Sequence, residues 1–146
     1  MQNFLIHFHS GWRWILLLFL VFALINSWTK WRGNKSFTAQ DLKMNLYAMS
    51  AAHLQLIVGL VLYFMSSKVQ FVSGMMKDKV MRFYAVEHIT LMLIAVILIT
   101  IGYAKSKRAL TDTSRFKLGF YYFLGALILI FLGIPWPWQE LGGSWF

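Results

Sequence analysis

Six ionisable side chains stand inside or at the edges of otherwise apolar stretches: His7, His9, Arg13, His53, Glu87 and His88. Lipid solvates such groups poorly, so at membrane depth they are kept where they pair with one another, hold a ligand or move a proton. Imidazole offers the widest chemistry of the set. Its ring nitrogens ligate haem iron, form hydrogen bonds and titrate near neutral pH.

Four apolar stretches must position these residues: 4–28, 46–65, 83–103 and 119–134. A spanning helix needs roughly 20 mostly apolar residues, and each stretch is close to that length. With 59% of the 146 residues hydrophobic and only 13% charged, almost nothing is left for a soluble domain. The chain therefore reads as one all-α membrane domain. Connections of roughly a dozen residues favour antiparallel neighbours, so the expected architecture is an up-and-down four-transmembrane-helix bundle. No basic residue precedes the first apolar run and no small-residue cleavage pattern follows it, which predicts a permanent span in place of a signal peptide. Thr38 and Asp41 have capping-box spacing at the start of the second helix, and Thr111 or Thr113 offers the same to the fourth. Pro135 and Pro137 end the fourth helix, because neither has an amide to donate. Gly142, Gly143, Trp145 and Phe146 make a short tail.

The net charge of +9 is unevenly placed. Loop 29–45 carries Lys30, Arg32, Lys35 and Lys43 against Asp41, and loop 104–118 carries Lys105, Lys107, Arg108, Arg115 and Lys117 against Asp112. The positive-inside rule puts both loops in the cytoplasm and both termini outside, with Lys68, Lys77, Lys79 and Arg82 of the middle connection opposing in part. Charge so distributed orients the protein and meets anionic lipid, and it predicts no nucleic-acid partner. Trp12, Trp14, Trp136 and Trp138 at the outer level and Trp28 and Trp31 at the inner one match rings at headgroup depth.

Depth then sorts the histidines. At about 1.5 Å of rise per residue, His9 and His88 lie roughly 11 Å and 8 Å to the outer side of the middle of their spans. Spans one and three run in the same direction and are diagonal across an up-and-down bundle. Two histidines at matched depth on diagonal helices are what haem b needs, one axial nitrogen from each side of the iron. His53 falls about 4 Å to the cytoplasmic side of its own midpoint and is a poor partner for His88. With Ser50 and Gln55 it forms a candidate second polar site of quinone-head-group size, or simply interhelical glue.

Arg13 shares a helix face with His9, four residues on. Its candidate partners are Glu87, a haem propionate, a quinone head group or the headgroup level itself. Glu87 points about 100° away from the adjacent His88, so both cannot face one ligand squarely. His9 and His88 are equally readable as hydrogen-bonded core residues, and His7 as solvated. Gly59, Gly102 and Gly125 allow close helix approach.

Other chemistries find less support. The chain has no cysteine, which excludes disulfides and thiolate sites. It has no glycine-rich phosphate loop, no HExxH motif and no placed Ser-His-Asp set, so no residue is assigned a catalytic role and enzymatic activity stays open.

The runs His-Ser-Gly-Trp-Arg-Trp at 9–14, His-Leu-Gln-Leu-Ile-Val-Gly-Leu-Val-Leu-Tyr-Phe at 53–64, Gly-Met-Met-Lys-Asp-Lys-Val-Met-Arg-Phe-Tyr at 74–84, Val-Glu-His at 86–88 and Ile-Pro-Trp-Pro at 134–137 resemble small bacterial four-span membrane proteins labelled cytochrome b-like. The resemblance covers nearly the whole chain. It implies a haem or electron-transfer role in the bacterial cytoplasmic (inner) membrane, with His9, His53 and His88 as the matching histidines.

The sequence thus leads to a b-type cytochrome-like protein with one haem between His9 and His88 near the outer leaflet, exchanging electrons with a quinone or a respiratory partner. Arg13 and Glu87 complete that expected site. The alternative is a non-catalytic accessory subunit or assembly factor of a larger membrane complex. A small transporter with His53, Gln55 and Glu87 on a proton path stands third, since no discontinuous helix is signalled.

Overall fold

Four long helices, α1 (Gln2–Arg32), α2 (Ala39–Met65), α3 (Lys79–Arg108) and α4 (Asp112–Gly133), make up most of the chain. The computed structural model describes residues 1–143 and 145, and Phe146 of the expected tail lies outside them. All regular structure among the described residues is helical, including a π segment at Phe83–Glu87 within α3 and a 3-10 turn at Pro137–Gln139. Each long helix is apolar enough to cross a membrane, which is the make-up of a multi-pass membrane protein.

The helices outrun the apolar stretches at their ends, where polar side chains close them. Thr38 is the N-cap of α2, and Asp41 Oδ2 accepts from its amide and its hydroxyl at 2.8 Å each. Asp41 Oδ1 accepts from Lys30 Nζ at 2.6 Å and Asn26 Nδ2 at 2.7 Å, so one buried carboxylate ties the end of α1 to the start of α2. Thr111 caps α4 through the Ser114 amide. Arg115 donates to the carbonyls of Ala109 and Lys107, covering the end of α3.

α1 packs on α2 and α4, and α3 packs on the same two, which leaves α1 and α3 diagonal. The core below the site is a layer of Leu16, Leu20, Ala23 and Leu24 from α1 against Ala48, Ala51 and Ala52 of α2, Ala95 and Ile99 of α3, and Phe123, Ala126 and Ile130 of α4. Alanine on α2 lets backbones approach, and leucine and phenylalanine fill what remains. The outward faces are apolar as well, with Phe22, Ile25, Ile57, Val61, Ile94, Ile97, Ile128 and Phe131 exposed. A helix apolar all round suits lipid.

The end of α4 shows how a membrane helix stops. Pro135 withholds the amide that would bond the Phe131 carbonyl, and the Trp136 indole donates to that carbonyl instead, at 3.0 Å. Pro137 likewise withholds the amide four residues after Gly133. That carbonyl is met from α3, by His88.

Replacing Asp41 with alanine leaves Lys30 and Asn26 without their buried acceptor and opens the capping box. Loss of roughly 3 kcal/mol is expected, read as a lowered unfolding midpoint in detergent. An unchanged midpoint would show that this carboxylate does not join α1 to α2.

Candidate functional site

Beyond the packed layer, toward the bundle end where α1 begins and α4 ends, the four helices part around a cavity of about 200 Å³. Its polar lining comes from His9, Ser10 and Arg13 on α1, Gln55 and Tyr63 on α2, and Tyr84 and His88 on α3. Leu16, Ala52, Gly59, Leu60, Ile89, Met92, Ile130 and Ile134 supply most of the rest, so the wall is mainly apolar with a few convergent polar groups.

The imidazoles of His9 and His88 enter from the diagonal helices, with ring centres 6.3 Å apart and planes at 72°. No hydrogen bond joins them among the described residues. His88 Nδ1 lies 2.6 Å from the Gly133 carbonyl oxygen. A carbonyl only accepts, so Nδ1 carries the proton, and in the neutral ring Nε2 is left with its lone pair. The orphaned end of α4 thereby sets the tautomer of a side chain on α3. Phe83 and Tyr84 flank the same ring, with centres 5.8 Å and 6.4 Å away.

Gly59 makes room for His9. A Cβ at that position would stand 3.0 Å from His9 Cε1 and 3.7 Å from Nδ1, so the ring lies directly on the α2 backbone. Gln55, one turn earlier on the same face, donates from Nε2 to the His9 main-chain carbonyl at 2.9 Å. Its Oε1 and the His9 Nδ1 are both buried without a partner.

Arg13 is buried, and its guanidinium donates to the Trp145 carbonyl at 2.9 Å while lying 5.3 Å from the Trp14 ring centre. Trp14 Nε1 donates to the same carbonyl, also at 2.9 Å. At the cavity mouth Lys68 Nζ donates to the Gly142 carbonyl at 3.1 Å and sits 4.8 Å from the Tyr84 ring centre. Backbone carbonyls of the tail are thus held by cations from α1 and from the middle connection.

Two expected groupings are corrected. Glu87 does not meet Arg13: it is exposed, and its carboxylate accepts from Arg82 Nε at 2.7 Å. Both lie on α3 five residues apart, and the wider turn of the π segment between them, with its i to i+5 hydrogen bonds, brings that spacing nearer to one face. The second polar site is not assembled either. His53 Nε2 lies 3.1 Å from Thr100 Oγ1, and the Thr100 hydroxyl donates to Val96, so His53 bridges α2 to α3 as a donor. Ser50 is exposed. Gln55, about 200° around the helix from His53, belongs to the His9 cavity. His53, Gln55 and Glu87 thus have separate partners among the described residues, Thr100, the His9 carbonyl and Arg82. His7 is exposed.

Sequence reasoning missed Gly133, Tyr84 and Lys68, and placed Gln55 wrongly. Signals existed for two of these: Gln55 precedes Gly59 by four residues, and Gly133 precedes Pro137 by four.

Substituting Gly59 with valine forces branched atoms against the His9 ring, and overpacking of this kind destabilises by about 1–3 kcal/mol. Thermal unfolding in detergent reads the change, with alanine as the milder step; a valine variant as stable as the parent would contradict the contact. Comparison of the chain with protein-family models, with curated proteins and with solved structures gives no match.

Proposed function

We propose that the chain is a b-type cytochrome-like integral membrane protein that holds one haem b between His9 and His88, at the outer-leaflet end of a bundle whose termini both lie outside. It would exchange electrons with a quinone or a respiratory partner in the bacterial cytoplasmic membrane. The observation that carries this reading is the pair of imidazoles facing one apolar cavity from diagonal helices, 6.3 Å between centres. His9 and His88 are the residues that would hold the iron of such a group.

The donor set fits. Among the described residues no third His, Cys, Asp or Glu joins the pair, and haem iron needs only two protein ligands because the macrocycle supplies the others. Hydrogen bonding of Nδ1 to a carbonyl orients a ligating histidine and raises its basicity, and His88 already has that bond. Gly59 and Ala52 keep the α2 wall low for a flat group. Arg13, buried in the cavity wall, and Lys68, at the mouth, are the cations that would face propionates, and Glu87 is not among the lining residues. When bound, a b-type haem supplies a one-electron couple at its iron. The chain's own work is to hold the two nitrogens, to keep water from the apolar wall, and to set the field through Arg13. Lys30, Arg32, Lys35 and Lys43 around one connection and Lys105, Lys107, Arg108, Arg115 and Lys117 around the other support a cytoplasmic face opposite the site.

Protein purified from haem-sufficient cells is expected to carry haem and to show the sharp reduced-minus-oxidised bands of a six-coordinate centre. His9→Ala and His88→Ala should each abolish that signal while the helical content stays. A colourless protein held in stoichiometric complex with another membrane chain would overturn the cytochrome reading and favour an accessory subunit.

A further inference from the structure

The two histidines are not equally supported. His88 has its Nδ1 tied to a carbonyl at 2.6 Å, whereas His9 Nδ1 is buried with no hydrogen-bond partner among the described residues. A buried ring nitrogen without a partner is costly relative to a satisfied one, so a nearby acceptor would be expected to claim it. One is at hand. Gln55 Oε1 is also buried and also without such a partner among the described residues.

Three observations bring these atoms together. Gln55 Nε2 donates to the main-chain carbonyl of His9 itself, at 2.9 Å, so the amide stands beside that residue. The carbonyl accepts only, which fixes the amide with its nitrogen on that side and turns Oε1 away from it as a free acceptor. The His9 ring rests on Gly59, one turn beyond Gln55 on the same face of α2, turning its Cε1 edge to that glycine with Nδ1 at 3.7 Å and Nε2 at 3.8 Å from where a Cβ would stand. Nδ1 therefore lies close to the helix that carries the acceptor.

We infer that Gln55 is the positioning residue of His9: its Oε1 takes the Nδ1 proton of His9 through a small rotation of ring or amide, and holds Nε2 toward the cavity as a lone pair. Gln55 would then do for His9 what the Gly133 carbonyl does for His88. Both rings become Nδ1–H tautomers presenting Nε2 to the same space. This rests on the haem reading for its purpose but not for its geometry, since the tautomer is a property of the protein alone.

The test uses full-length protein, labelled with 15N-histidine, in lipid nanodiscs without haem. His9 is expected as the Nδ1–H tautomer in the parent, and as a mixture of tautomers in Gln55→Leu and in Gln55→Met. Gln55→Glu, which keeps an acceptor, should retain Nδ1–H. The His88 Nδ1–H signal, unchanged throughout, reports that the fold is intact; if the leucine variant loses it, the methionine variant and the parent spectrum decide. An Nε2–H tautomer of His9 in the parent, or no dependence on residue 55, would overturn the inference. In a haem titration of the same proteins, loss of such a supporting bond should weaken binding about 10–100-fold. If no protein binds haem and the tautomer still follows residue 55, the haem reading fails and the assignment of Gln55 stands. If haem binds equally to all and the tautomer does not move, the reverse holds.

Discussion

A lipid interior offers no hydrogen bonds, so every polar group placed there must be satisfied by the protein itself. The hydrogen bond between His88 and Gly133 is where this constraint organises the molecule. It disposes of the carbonyl left over at the end of α4. It holds α3 against α4 where Gly133 has no side chain to keep Leu91 and Met92 away. It also selects which nitrogen of His88 faces the cavity. The same rule places the Trp136 indole on Phe131, the Tyr63 hydroxyl on the Ala85 carbonyl within the π segment, and the Trp12 indole on Ala51. On the proposed reading, the contact that satisfies the Gly133 carbonyl also orients His88 toward the cavity.

Much of the architecture was legible because it follows from length and depth. Four apolar stretches of spanning length became four helices, with Thr38 and Asp41 forming the box that their spacing suggests. His9 and His88 meet because straight helices keep depth proportional to residue count, and diagonal helices running the same way carry equal counts to equal levels.

What escaped the sequence is angular. Depth counting does not track rotation about a helix, and it grouped Gln55 with His53 although two residues along a helix place them on opposite faces. The partner of Glu87 depends on the π segment, which brings Arg82 over it, and no residue in Phe83–Glu87 announces that widening. Among the described residues Arg13 meets the Trp145 carbonyl and the Trp14 ring, contacts that depth counting along the spans does not reach. The role of Gly133 is visible only when the missing amide of Pro137 and the donor on α3 are considered together.

The central proposal is that His9 and His88 would together hold one haem. Near-infrared magnetic circular dichroism of the oxidised protein identifies axial ligand atoms through their charge-transfer band, independently of any partner. The account predicts the band of two neutral imidazoles, converted to a different ligand class by His9→Met and, separately, by His88→Met. A centre with one imidazole and an open or oxygen-ligated sixth position, or a spectrum unmoved by either substitution, would contradict it.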